Sequence, residues 1–292
     1  MSRPLSKVVK LILSAVHFTR AAKVIAPLTR GNGVVFMLHH VTPETARGFE
    51  PNGRLKVSPE FLDSVIREVK NAGFDCVSMD EVENRLSSSG TSRPFAAFTL
   101  DDGYKDNAAH AYPVFKRHGV AFTIYVPTDY ADGQGELWWL VLEEALRRLP
   151  SVTLEMDGAA KAFVLHSDAD KLCAYDKIYW WLRSLPEHRA RMIVRDLAEI
   201  ANVSSMKMCR DLVMTWDELR ALAKDPLVTI GAHTRSHYAV AKLSDGDARS
   251  EMADSVARIT TELGTPCRHF SYPYGCENSA GERDFLLARE LG

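Results

Sequence analysis

The sequence predicts an α/β protein with a mainly parallel sheet, arranged as a barrel or as a doubly wound layer. Short apolar runs recur along the chain, and most are followed by apolar residues at helical spacing. Three polar segments rich in chemistry fall at the ends of predicted strands, where such folds place their sites. A chain of 292 residues is long enough for one large domain of this kind.

Taken in order, Val34–Leu38 reads as a buried strand ending at His39-His40. Ser58-Pro59-Glu60 is a helix start, with a capping serine and a proline in the first turn. Phe61, Leu62, Val65, Ile66 and Val69 follow at helical spacing, and Gly73 supplies the stop. Phe74–Ser78 reads as a second strand and Met79–Leu86 as a short helix. After the loop Ser87-Ser88-Ser89-Gly90, a third strand, Phe95–Leu100, runs straight into Asp101-Asp102-Gly103. A helix to His118-Gly119 and the strand Val120–Val126 complete this part. Further on come a helix near Trp216–Lys224, a strand Val228–Ile230 and a long helix over Asp245–Leu263. A last strand, His269–Tyr272, precedes a final helix from about Gly281.

About a hundred residues separate Val126 from Val228, far more than one βα unit uses. This stretch, about 130–212, reads as an insertion or small lid after the fourth strand. It holds a helix over Leu137–Leu149 and a hairpin, Val152–Met156 and Ala162–Leu165, turning at Asp157-Gly158. A helical region spans Asp170 to about Ala201. Its aromatic residues Trp138-Trp139, Trp180-Trp181, Tyr175 and Tyr179 can serve as a sugar-stacking platform, but the spacing favours core.

Bulk properties narrow the partners. With 46% hydrophobic and 25% charged residues and a formal net charge of −2, the chain has no global basic field for nucleic acid. No apolar run is long enough to span a bilayer. Cys76, Cys173, Cys209, Cys267 and Cys276 are odd in number and scattered, which suits reduced thiols in the cytoplasm rather than a disulfide framework. Residues 1–30 carry Arg3, Lys7, Lys10, Arg20, Lys23 and Arg30 and no acid. They read as a basic amphipathic helix, packed on the domain or making peripheral contact with anionic lipid, and not as a signal peptide.

The chemistry lies in the three strand-end segments. His233 and His237 are four residues apart, so a helical turn or a tight loop places both imidazoles on one side. Imidazole is a common zinc ligand, and an open catalytic site needs one more protein donor. A lone pair of this spacing is commonly a surface coincidence, but this one directly follows a strand and Gly231-Ala232. Asp101 and Asp102 supply what is missing, since paired carboxylates after an apolar strand are costly unless bonded to donors or a cation. Gly103 lets the backbone turn so that both can face the mouth of the sheet. One carboxylate then completes a His-His-Asp site and the other remains as general base. In Phe270-Ser271-Tyr272-Pro273-Tyr274-Gly275, a constrained turn amide suits stabilisation of an oxyanion.

These segments resemble the polysaccharide deacetylase family, carbohydrate esterase family 4, also described as the NodB homology domain, whose founding group includes chitooligosaccharide deacetylases. The resemblance covers roughly residues 34–292. It implies an irregular (β/α) barrel over residues 31–292, with Asp101 as base and Asp102, His233 and His237 as ligands of one divalent metal ion. It further implies that the Tyr274 amide contacts the acyl oxygen and that the Pro-Tyr segment lines the substrate groove. Tyr104, Tyr272, Pro273 and His39 are the candidate substrate contacts. The donor set suits zinc, although cobalt, nickel or manganese can occupy such a site. The implied activity is removal of acetyl from N-acetylglucosamine units of an oligosaccharide or glycan precursor. Alternatives are deacylation or deformylation of a lipid-linked amino sugar, a non-catalytic carbohydrate-binding protein that keeps the metal, and a hydrolase of small amides.

Two departures from the family pattern stand out. Ser271 occupies the place where many members have an arginine that holds the catalytic aspartate, with Arg268 nearby in sequence. No histidine follows His269, where the family's general acid is expected, and Leu287–Gly292 reads as a helix cut before a next strand, so the end of the usual domain is expected to be missing. His39 or His40 is the spare candidate for the acid.

Overall fold

Apolar runs that end in polar residues become the strands of one parallel sheet. The computed structural model describes residue 19 and residues 31–44, 48–87 and 93–292. Its strands are β1 (Gly33–Leu38), β2 (His40–Val41), β3 (Lys56–Val57), β4 (Asp75–Cys76), β5 (Phe95–Asp101), β6 (Phe122–Val126), β7 (Ser151–Met156), β8 (Ala159–Val164) and β9 (Val228–Ala232). The main sheet runs β1-β5-β6-β9, with β4 beside the start of β5, and all its pairs are parallel. Every residue of β5 is buried, as an apolar run at the centre of a two-faced sheet must be.

Register decides where the site forms. Leu38 pairs Leu100, Asp101 pairs Tyr125, and Val126 pairs Ala232, so β1, β5, β6 and β9 finish along one edge. His39, Asp102 and His233 are the next residues out of three of these strands. Parallel strands therefore deliver residues far apart in sequence to one mouth.

Helices cover the sheet. α1 (Pro59–Asn71) starts where Ser58 accepts from the Phe61 N–H and buries Leu62, Ile66 and Val69. α2 (Met79–Ser87) follows. A π turn over Asn107–Ala111 runs into α3 (Tyr112–His118), which Gly119 ends at φ +60°. The insertion contributes α4 (Thr128–Ala131), α5 (Trp138–Arg148), the hairpin β7–β8, α6 (Asp168–Ser184), α7 (Glu187–Ile200) and α8 (Ser205–Leu212). Asp157 and Gly158 both have positive φ in the hairpin turn, as a two-residue connection of this type requires. α9 (Trp216–Leu222), α10 (Asp245–Leu263) and α11 (Glu282–Leu291) complete the chain. The insertion has its own core around Leu137, Leu142, Ile178 and Leu197, which reaches Tyr104 and Tyr274 at the sheet mouth.

Several expectations are corrected. β1 is not buried: among the described residues it pairs only with β5, and Val35 and Met37 are exposed at the sheet edge. His269–Tyr272 is not a strand: it makes one bridge, Phe270 to Ala232, before Pro273 ends the possibility of a ladder. The helical region after Asp170 is two helices broken at Pro186, and α8 was not anticipated. The parallel sheet with its covering helices agrees with the expected α/β fold, and among the described residues its pairings do not close into a ring. The basic segment 1–30, apart from Thr19, and the loop residues 88–92 lie outside the described residues.

Phe98 tests the weight of the β5 face. Its ring stacks on Phe36 at 5.1 Å and meets Phe115 edge-on at 5.5 Å. Phe98→Ala is expected to destabilise the protein by about 3–5 kcal/mol, read as a lower urea midpoint. A change below about 1 kcal/mol would mean that the neighbours collapse into the space.

Candidate active site

A strand that continued past Asp101 would send Asp101 and Asp102 to opposite faces. It does not continue: Asp102 has φ +72° and Gly103 φ +65°, which turns the chain at once. A Cβ on Gly103 would meet the Val126 side chain at 3.2 Å, so glycine serves here for both conformation and space. The second segment leaves β9 as an irregular loop, with Thr234 at φ +61° and His237 at φ +58°. Tyr274, at φ +69°, carries the third. Among the described residues, four of the six non-glycine residues with positive φ thus belong to the three segments, the pattern of a backbone held against its preference by its surroundings.

These turns bring Asp102, His233 and His237 together. Asp102 Oδ1 is 3.2 Å from His237 Nε2 and 3.9 Å from His233 Nε2. One donor atom from each lies within 4.8 Å of the others, and all three residues are buried. His233 Nδ1 donates to the Ser271 carbonyl at 2.8 Å, which turns Nε2 toward Asp102. Burial pushes His233 down to about 3, so its imidazole is neutral, the form that ligates. Burial opposes ionisation of Asp102, but His237 and then His39 and His233 outweigh it and hold the carboxyl below its ordinary range. Asp102 Oδ1 and His237 Nδ1 are nonetheless buried without a hydrogen bond. A closed cluster of two imidazoles and one carboxylate, with an unpaired oxygen at its centre, fits a divalent cation.

Asp101 stands beside this cluster. Its Oδ1 is also buried without a partner, and burial followed by the Asp102 charge raises its pKa well above the carboxylate range. No arginine or lysine pairs with it among the described residues, and Arg268 is exposed instead. Ser271 contributes its carbonyl to His233 rather than a side chain to Asp101.

The loop from His233 to His237 is tied down from outside. Glu251, buried on α10, accepts from the Ser236 N–H at 2.8 Å and the Arg235 N–H at 3.0 Å. Ser236 Oγ donates to Asp129 at 2.7 Å. From the insertion, Arg191 donates to the His237 carbonyl at 3.1 Å, and Glu187 accepts from the Ala239 N–H at 3.3 Å. Sequence reasoning missed all of these positioning groups. The only signal was a charge on an otherwise apolar helix face, such as Glu251 beside Ala248, Met252 and Ser255.

A cavity of about 420 Å³ opens over Asp101, Asp102, His233 and His237. His39, Tyr272 and Tyr274 line it, as the sequence suggested for substrate contacts. Tyr104 and Pro273 do not: Tyr104 is buried beneath the site and stacks on His40 at 3.6 Å, and Pro273 is buried in its turn. His40 is withdrawn as well, its Nδ1 lying 2.6 Å from Asp106. Trp139, Tyr179 and Trp180 join the lining, whereas Tyr175, Trp138 and Trp181 pack in the core as expected. The Trp138 indole N–H donates to the Tyr274 hydroxyl at 2.8 Å, which fixes the tyrosine turn to the insertion. Among the described residues, the Tyr274 N–H donates to no backbone carbonyl.

A polysaccharide deacetylase family model matches residues 88–284, which include both aspartates, both histidines and the Tyr272–Tyr274 turn. The chain belongs to the polysaccharide deacetylase family. Membership makes it a hydrolase acting on a carbon–nitrogen bond. Solved structures share the fold. A Streptococcus pyogenes deacetylase, PplD, in complex with acetate is 17% identical, with a TM-score of 0.54 over 88% of this chain and 79% of that one. IcaB from Ammonifex degensii is 18% identical, with a TM-score of 0.53 over 89% and 81%. A de-N-acetylase from Aggregatibacter actinomycetemcomitans is 15% identical, with a TM-score of 0.56 over 89% and 85%. No curated protein matches the chain.

Two measurements test the deacetylase's site. Zinc titration by calorimetry should give one equivalent bound to the parent protein and to Asp101→Asn, and none to His233→Ala or His237→Ala. Full zinc binding by both histidine variants would remove them from the ligand set. Glu251→Ala should weaken zinc binding about tenfold to a hundredfold, and Glu251→Gln, which still accepts a hydrogen bond, should recover most of it. Unchanged affinity in the alanine variant would show that the loop holds its own shape.

Proposed function

We propose that the protein removes the N-acetyl group from N-acetylglucosamine units of an oligosaccharide or glycan precursor, using zinc held by Asp102, His233 and His237. The observation that carries this reading is the buried three-residue cluster with Asp101 beside it, unpaired, at the floor of a cavity. When bound there, a divalent cation polarises a carbonyl oxygen and makes water acidic at neutral pH.

The chain's own groups supply the rest. Asp101, whose Oδ1 is buried without a hydrogen-bond partner beside the cluster, takes a proton as water attacks the amide carbon. The Tyr274 N–H donates to the oxygen on which negative charge develops. The C–N bond then breaks, and Asp101 returns its proton to the departing amine, giving acetate and a free amino sugar. His39, which burial keeps toward the neutral imidazole, contacts substrate from the cavity wall, and Trp139 and Tyr179 offer faces for a sugar ring. None of the five cysteines is in a disulfide, which supports a reducing compartment, the cytoplasm, and hence a soluble or precursor glycan as substrate.

The test is acetate release from N-acetylated chitooligosaccharides by metal-stripped protein, with and without added zinc. Release is expected only with zinc, and Asp101→Asn should lower it about a hundredfold or more while zinc stays bound. Substantial activity in that variant would remove Asp101 as base. One equivalent of zinc with no release from any N-acetylated amino sugar would make this a carbohydrate-binding protein.

A further inference from the structure

Charge is unbalanced in one wall of the cavity. Among the described residues, Glu187 is the only carboxylate within 4.0 Å of three cations: Arg191 at 3.5 Å, Arg183 at 3.7 Å and Lys242 at 4.0 Å. Their other partners are hydroxyl, carbonyl and thiol groups, with Arg183 also 3.8 Å from Cys276 Sγ. Arg183 donates to Ser279 Oγ at 2.7 Å, Arg191 to the His237 carbonyl, and Lys242 to the carbonyls of Arg183 and Leu185. Three positive charges and one negative charge leave an excess of two in a region that is mostly buried. Uncompensated charge away from water is expensive, so such an excess calls for a counter-charge.

Of these three cations, Arg183 reaches the cavity, with its guanidinium 3.6 Å from the centre of the Tyr274 ring. Arg54 lines the same cavity, 6.0 Å from the Tyr179 ring, and has no carboxylate within 4.0 Å among the described residues. Among the described residues, the only acidic ones in the lining are Asp101 and Asp102, which the proposed reaction occupies. Cys276, on the same wall, already responds to the excess: burial alone would raise its thiol, yet Ser279 and Arg183 hold it below its ordinary value. We propose that the substrate carries an oxyanion, a carboxylate or a phosphate on its sugar chain, and that Arg54 and Arg183 hold it while the N-acetyl group lies at Asp101. Two planar guanidinium forks beside stacking aromatics match an acidic sugar better than a neutral one.

This inference rests on the N-deacetylase reading, and the experiment separates the two. Zinc-loaded protein is given neutral diacetylchitobiose, N-acetylglucosamine 1-phosphate and an N-acetylhexosamine–uronate disaccharide, and both kcat/KM and Kd are measured for each. At least one anionic sugar is expected to exceed the neutral one by about tenfold, the scale of one charge-assisted hydrogen bond. Whichever anionic arm exceeds it identifies phosphate or carboxylate as the group. The preference should fall toward one in Arg54→Gln, in Arg183→Gln and at high salt. Arg54 is exposed, so its variant keeps the test valid if the Arg183 variant fails to fold. Equal values for all three sugars, or a preference untouched in Arg54→Gln, would overturn the anion site and leave deacetylation standing. No turnover of any sugar, with selective anion binding that Arg54→Gln abolishes, would uphold the anion site and overturn the deacetylase reading.

Discussion

Asp102 holds a left-handed backbone, a conformation that costs a non-glycine residue about 1–3 kcal/mol unless its surroundings enforce it. Everything at the mouth of the sheet depends on that reversal. With ordinary strand geometry, Asp101 and Asp102 would lie on opposite faces, and the two carboxylates could not share one cavity. The enforcing contacts are visible: the Gly103 carbonyl accepts from the Met214 N–H at 2.9 Å, and Val126 packs where a side chain on Gly103 would go. The buried β5 strand supplies a rigid base from which the turn can be held.

The histidine loop meets the same demand by other means. It has no regular hydrogen-bond ladder of its own, so its amides and carbonyls are satisfied from outside, by the backbone of Val126, Thr128 and Asp129 and by charged side chains. Glu251 comes from a helix of the main domain, and Arg191 and Glu187 come from the insertion. The insertion therefore does more than cover the site. It fixes the carbonyl of His237 and the hydroxyl of Tyr274, and removing it would release two of the three segments.

What the sequence disclosed follows from how local each feature is. The Asp101-Asp102-Gly103 turn, the bounds of Asp245–Leu263 and the hairpin at Asp157-Gly158 rest on neighbours within a few residues, and all are found as expected. The exposure of β1 was not legible, because an apolar run records that a strand forms and not how many neighbours it gains. The same limit applies to Phe270, whose strand-like sequence meets a partner at one residue only. The roles of Arg191 and Glu187 depend on contacts 46 and 52 residues away, which no local pattern encodes. Trp139 and Tyr179 were ambiguous for a different reason: an aromatic that packs in a core and one that lines a cavity share the same helical spacing.

The placement of arginine connects the base to the substrate wall. The family pattern puts a guanidinium beside the catalytic aspartate, where it would favour the carboxylate and weaken it as a base. This chain has Ser271 there, and Asp101 feels only burial and the Asp102 charge, both of which raise its affinity for a proton. Its cavity-lining guanidiniums, on Arg183 and Arg54, face the space where substrate enters instead. In the proposed mechanism, positive charge on the wall rather than beside Asp101 leaves that carboxyl free to take a proton and adds attraction for an acidic sugar. An arginine restored beside Asp101 would work against the first effect without supplying the second.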